Sequence, residues 1–84
     1  MLEVDLQNAF EPGRDADNFT VLLLRLIAKA DSDNRRKLSR GYPDEVNAVT
    51  VFQTWCPYKD KEQTKVDWAG VAHRARLLTA DQQG

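Results

Sequence analysis

The stretch that decides the fold is DNFTVLLLRLIAKA, residues 17–30. Its apolar residues recur at the three- and four-residue spacing that is typical of one helical face. That face comprises Phe19, Leu22, Leu23, Leu26, Ile27 and Ala30. Asp15 or Asp17 can cap the start, because a carboxylate accepts hydrogen bonds from the free N–H groups of the first turn. The sequence therefore predicts a helix over residues 17–30.

The same helix carries a second apolar stripe, formed by Val21, Leu24 and Ala28. A helix that is apolar almost all round is either buried or has two partners. Since symmetric pairing is the commonest way to cover such a stripe, we expect a homodimer with these three residues at its interface. The competing interpretation is that the other helices of the chain surround this one. Trp55 is a further candidate interface residue, although it also lies on an apolar face that suits the core.

Three more segments carry helical signals. Residues 34–42, NRRKLSRGY, follow a capping Asp31-Ser32-Asp33 and suit a short helix ended by Gly41. Pro43, followed directly by Asp44 and Glu45, favours a helix over residues 43–56. The stretch AVTVFQTW, residues 48–55, also has strand propensity. A last helix is expected over residues 66–78, after a loop at 57–65 and before a tail that should fray, and the spacing of Thr64 and Asp67 matches a weak capping box. Gly70 costs that helix about 1 kcal/mol relative to Ala, and either close packing against a neighbouring helix or a wrong helix prediction would explain its presence.

Residues 1–12 are ambiguous. Alternation of Leu2, Val4 and Leu6 with acids suits a half-buried strand, whereas Leu2, Leu6, Ala9 and Phe10 suit one helical face. We therefore expect one mainly α domain spanning residues 1–84, a compact bundle of three to four helices in which the N-terminal arm, 1–12, is either helix or a short strand. The helical core is expected at 17–56. The predicted core residues are Leu22, Leu23, Leu26, Ile27, Val49, Phe52 and Trp68.

Composition bounds the class of protein. The 84 residues are 42% hydrophobic and 30% charged, which suits one folded domain with a small core. A formal net charge of −1 gives no global attraction to nucleic acid or to anionic lipid. The single Cys56 cannot form an intrachain disulfide, and Glu3 and Asp5 stand where a signal peptide has basic residues, so a cytoplasmic location is expected. The longest apolar run, VLLLRLIA, is too short to span a bilayer and contains Arg25, so no membrane association is expected.

Motifs for catalysis are absent from the sequence. It contains no Walker loop, dinucleotide fingerprint, metalloprotease helix or calcium loop. One histidine and one cysteine, His73 and Cys56, cannot supply the four ligands of the usual zinc site. A Cys56–His73 nucleophile pair would need only proximity in space, but Cys56 suits a small buried hydrophobe and His73 the edge of a helix. We therefore expect no enzyme activity, no metal or other cofactor and no small-molecule substrate.

A basic cluster is the most distinctive local feature. It comprises Arg35, Arg36, Lys37 and Arg40. Such a cluster can hold phosphates or an acidic partner, or it can be a solvated helix face that is neutralised by Asp31, Asp33 and Asp44. Nucleic-acid binding through residues 33–40 is therefore the alternative functional hypothesis.

A resemblance suggests a biological setting. The string LLLRLIAKADSDNRRKL, residues 22–38, followed by Tyr42-Pro43-Asp44-Glu45-Val46 and ending near Trp55, resembles small uncharacterised proteins of actinobacterial phages and prophages. It covers residues 19–55 and carries over no functional residue. Together with the surplus apolar surface, it favours a non-catalytic protein-interaction module. Such a module would be a phage or prophage accessory protein that self-associates or binds a host protein.

Overall fold

Five α-helices account for the fold of the residues that the structure describes. A computed structural model describes residues 2–55 and 58–83. The helices are α1 Leu2–Phe10, α2 Phe19–Lys29, α3 Ser32–Gly41, α4 Pro43–Trp55 and α5 Trp68–Gln83. The prediction of a mainly helical domain is confirmed, with five helices rather than three to four.

The N-terminal arm is helix α1, so the alternative of a short strand is wrong. Leu2 and Leu6 are buried, and Ala9 and Phe10 pack against the core, whereas Val4 is exposed. This burial follows the helical spacing because α1 lies against both α2 and α5 along one side. Arg25 of α2 fixes the contact by donating to the carbonyls of Asn8 and Ala9 in the last turn of α1, both at 3.1 Å. An arginine inside the most apolar helix is thus explained, since it satisfies carbonyls that a helix end leaves free.

The core lies between α1, α2, α4 and α5, and α3 contributes no buried residue. Its largest completely buried side chains are Leu6, Val21, Leu24, Ile27, Val49 and Val71. Phe10, Phe52 and Trp68 form an aromatic cluster with ring centroids 5.1 to 6.4 Å apart, in which Phe10 stacks on the other two rings. Such contacts stabilise the fold beyond the apolar area that they bury.

Part of the predicted core is wrong because the buried face of α2 was assigned incorrectly. Leu23, Ile27, Val49 and Trp68 are buried as predicted and Phe52 is half-buried, but Leu22 and Leu26 are exposed. The side that faces α1 and α4 carries Val21, Leu24 and Ile27. Relative to the prediction, the buried face is rotated by roughly 100°, one residue step of an α-helix.

Local capping sets the starts of the next helices. Asn18, rather than Asp15 or Asp17, caps α2 by accepting a hydrogen bond from the N–H of Val21 at 3.0 Å. Asp31 caps α3 as predicted, accepting from the N–H of Asn34 at 2.8 Å. Residues 43–55 form α4, so helix rather than strand is confirmed there.

Helix α5 is longer at its C-terminal end than expected. Its last turns are tied to α4, because Asn47 donates to Thr79 at 3.0 Å and to Gln82 at 3.1 Å. Thr79 is buried and donates in turn to the carbonyl of Ala75 at 3.0 Å. The structure thus continues the last helix through Gln83, beyond the predicted end at residue 78.

Asp67 caps the start of α5 and also explains Gly70. The Asp67 carboxylate accepts from the N–H of Gly70 at 3.0 Å. A Cβ atom at position 70 would collide with that carboxylate, so any larger residue there would have to displace the cap. Neither of the predicted reasons, close helix packing or a wrong helix, applies.

Residues 58–67 connect α4 to α5 as an ordered loop. An isolated antiparallel bridge joins Tyr58 to Val66, and the Lys59 N–H donates to the Lys65 carbonyl at 2.7 Å. Hydrogen bonds from the Thr64 hydroxyl and from the Lys65 N–H lower the pKa of the Asp60 carboxyl. Thr64 therefore serves the loop and not the cap of α5 that its spacing suggested. Among the described residues, no helix combines the length and apolarity that crossing a membrane requires.

Candidate protein-interaction surfaces

An exposed apolar surface extends over α2 and α3. Its members are the exposed Phe19, Leu22, Leu26 and Tyr42 together with Leu38, which is half-buried against the core, and we call them the α2–α3 surface. Phe19, Leu22 and Leu26 are 65%, 52% and 56% exposed, and their spacing places them side by side on the helix. The Tyr42 ring lies 5.9 Å from the Phe19 ring, centroid to centroid. Leu38 and Leu26 line one shallow depression, so the apolar surface is continuous from α2 to α3.

Charged side chains border this surface. Lys29 and Lys37 are exposed and line the depression beside Leu26 and Leu38. Asp31 also lines it, but its carboxylate already accepts the N–H of Asn34 as the cap of α3. An apolar centre with a polar, solvent-accessible rim is the anatomy of a protein–protein interface.

A second apolar surface is the groove between α4 and α5. It is lined by Val51, Thr54, Trp55, Arg74, Leu77, Leu78 and Asp81 and has a volume of about 650 Å³; we call it the α4–α5 groove. Leu77 and Leu78 are 57% and 41% exposed. The guanidinium carbon of Arg74 lies 3.8 Å from the centre of the Trp55 ring, which is a close cation–π contact.

The residues predicted for a dimer interface are not together on the surface. Val21 and Leu24 are completely buried, and Ala28 is partly buried against the core. The predicted stripe is therefore wrong as an interface, because α1 and α4 cover it within one chain. Trp55 is exposed and lies in the α4–α5 groove, whose lining includes none of the other three residues.

The basic cluster is partly committed to the fold. Arg35 donates through Nε to the carbonyl of Ile27 at 3.1 Å and through Nη2 to Gln53 at 2.7 Å. It therefore joins the end of α2 to α4. Arg36 forms an exposed ion pair with Asp33 at 3.1 Å. Lys37 and Arg40 are exposed. Two of the four predicted phosphate-binding groups thus already have protein partners.

Of the two residues considered for catalysis, only His73 is among the described residues. His73 is exposed on α5, and Cys56 lies outside the described residues, so the Cys56–His73 pair stays untested. Within residues 2–55 and 58–83, no group of three or more His, Cys, Asp or Glu side chains could hold a metal ion.

Sequence reasoning missed Leu77 and Leu78 as surface residues and placed Leu22 and Leu26 inside. The signal available for Leu77 was its absence from the apolar face of α5, which comprises Trp68, Val71, Ala72 and Ala75. Comparison of the chain with family models, curated proteins and solved structures finds no match in any of the three. The functional interpretation therefore depends on the geometry of the two apolar surfaces.

Proposed function

We propose that the protein is a non-catalytic protein-interaction module that binds another protein through the α2–α3 surface. The observation that carries the proposal is the row of Phe19, Leu22 and Leu26, which are large, adjacent and more than half exposed. Single exposed apolar residues are ordinary, but a contiguous apolar patch with a polar rim marks an interaction site.

The energetics support a specific but moderate contact. Burying a Leu or Phe side chain completely contributes about 1.5–3 kcal/mol, so half-exposed ones contribute roughly half of that on binding. The loss of translational and rotational freedom on binding opposes this favourable free energy. The aromatic pair of Phe19 and Tyr42 is already in contact, at 5.9 Å, so it is ordered before the partner arrives. Such aromatic anchors are the residues that dominate interface energies.

The rim favours a partner with acidic side chains. Lys29 and Lys37 flank the apolar depression, and complementary charges raise association rates and exclude wrong partners. An apolar helical face bordered by Asp or Glu fits this description, since it would seat its apolar residues between α2 and α3.

A phage or prophage accessory role is the biological setting that we propose for this binding. The resemblance of residues 19–55 to phage and prophage proteins of actinobacteria supports it, because that segment contains every residue of the α2–α3 surface. The partner would then be a protein of the bacterial host.

Affinity capture with matched variants tests the proposal. Leu22→Asp/Leu26→Asp places two charges at the centre of the surface, and Val4→Asp places one on the exposed side of α1 as a control. A protein retained from an actinobacterial lysate by the wild type and by Val4→Asp, but lost with the double variant, is the expected result. Capture that survives the double substitution, with an unchanged circular dichroism spectrum, would contradict the proposal.

A further inference from the structure

We infer that the α4–α5 groove is a homodimer interface, in which the α5 helices of two copies pack antiparallel about a two-fold axis. This contact is distinct from the α2–α3 surface and does not depend on the proposed function. It also differs from the stripe of Val21, Leu24 and Ala28 that the sequence suggested, because that stripe is covered within the monomer.

The order of side chains along α5 is suited to pairing with a second copy. Arg74, Leu77, Leu78 and Asp81 line the same groove, and their spacing of three, four and seven residues puts them on one helical face. The row therefore has a cation at one end, two leucines in the middle and an anion at the other end. The cation and the anion are roughly 10 Å apart along the helix axis, at 1.5 Å per residue.

The row is complementary to the same row of a second copy only when the two helices run in opposite directions. The point midway between Arg74 and Asp81 falls between Leu77 and Leu78. A two-fold axis at that point sets Arg74 of each copy opposite Asp81 of the other and packs the leucines together at the centre. Parallel helices in register would instead set like charges against each other, which is unfavourable. Closed two-fold pairs require a self-complementary patch of this kind.

A residue of α4, Trp55, contacts the arginine at the cationic end of the row. The guanidinium carbon of Arg74 lies over the Trp55 ring, 3.8 Å from its centre, and this contact restrains the arginine side chain. A stacked guanidinium keeps the N–H groups at its edge available for a carboxylate. Since the arginine is already ordered, less conformational entropy is lost when it pairs with Asp81 of a second copy.

Charge exchange tests the pairing directly. Sedimentation equilibrium at about 100 µM, where even a dimer with a dissociation constant near 10 µM is mostly formed, should give twice the mass of one chain. Arg74→Glu and Asp81→Arg should each weaken the dimer about tenfold or more, because each replaces two attractions with two repulsions. The double variant Arg74→Glu/Asp81→Arg restores opposite charges at both ends and should regain the dimer.

Mixing the two single variants gives the sharpest result. A chain with two acids and a chain with two arginines in the row should form a heterodimer, although each pairs with itself about tenfold or more weakly than the wild type does. Asp81→Arg retains the stack of Arg74 on Trp55, so the test does not depend on the folding of Arg74→Glu. Leu22→Asp/Leu26→Asp should leave the dimer intact, which separates this inference from the α2–α3 surface.

Several outcomes would overturn the inference. One is a wild-type protein that sediments as a monomer at about 100 µM, where the dimer should dominate. A second is an Asp81→Arg variant that remains fully dimeric. A third is a folded double variant that stays monomeric, or a mixture of folded single variants that does not associate.

Discussion

Leu24 and Leu26 lie two residues apart on the same helix, yet the first is completely buried and the second is 56% exposed. The residue type is the same and the helix is the same. The difference comes from α1 and α4, which both lie against the side of α2 that carries Leu24. What decides the role of an apolar residue in this protein is therefore which neighbour reaches it, and the uncovered side becomes the candidate binding surface.

The largest expected difference is between a charge placed on the buried side of α2 and a charge placed on its exposed side. Val21→Asp buries a carboxylate where the native side chain is completely buried, which costs several kcal/mol and approaches the whole stability of so small a domain. The variant should lose its cooperative thermal transition and most of its helical circular dichroism. Leu22→Asp, one residue further along, should keep both. A folded Val21→Asp variant would show that the assignment of the two sides is wrong.

A smaller effect separates two adjacent arginines. Arg35→Ala removes a charged donor from the carbonyls at the end of α2 and from Gln53, which should cost about 1.5–3 kcal/mol. Arg36→Ala removes only an exposed ion pair with Asp33, which should cost about 0.3–0.5 kcal/mol. Urea denaturation of the two variants gives the comparison. Equal losses would mean that Arg35 is not the link between α2 and α4.

The smallest effect distinguishes two glycines in helices. Gly41 ends α3 with open space around it and no left-handed backbone, so Gly41→Ala should stabilise by about 0.5–1 kcal/mol. Gly70→Ala has the same intrinsic gain, but the added methyl displaces the Asp67 cap, which is worth about 0.5–2 kcal/mol. Its net effect should be near zero or destabilising.

Thermal unfolding in an Asp67→Ala background supplies the control for Gly70. Without the capping carboxylate, Gly70→Ala should recover its intrinsic gain of about 1 kcal/mol. If Gly70→Ala stabilises equally with and without Asp67, then the methyl group does not displace the cap.

Local signals in the sequence were enough to predict α3 and α4. Asp31 caps α3, and Pro43 begins α4, as their residue types indicate. The end of α5 was not predictable in the same way, because Asn47 holds Thr79 and Gln82 from a distant part of the chain. A partner so far away in sequence leaves no pattern near the helix end.

The inward side of α2 was also beyond local patterns. Arg25 lies beside the face of α2 that carries Val21 and Ala28. A charged residue in such a position ordinarily indicates that the face is exposed to solvent. Its guanidinium instead binds the carbonyls of Asn8 and Ala9. The candidate binding surface could not be predicted correctly without that contact, because the same periodicity describes both sides. The order of charges and leucines along α5 can be read from the sequence. The exposure of these side chains in a groove beside Trp55 cannot be read from it.

The pair Leu24→Ala and Leu26→Ala tests the two-sided account of α2 most directly. Urea denaturation at one fixed protein concentration, so that any dimerisation affects both equally, measures the free energy of unfolding of each variant. Leu24→Ala should lose about 2–5 kcal/mol, as expected for a large cavity in the core. Leu26→Ala should lose less than about 1 kcal/mol, because its side chain already contacts water. Equal losses, or a larger loss for Leu26→Ala, would contradict the account.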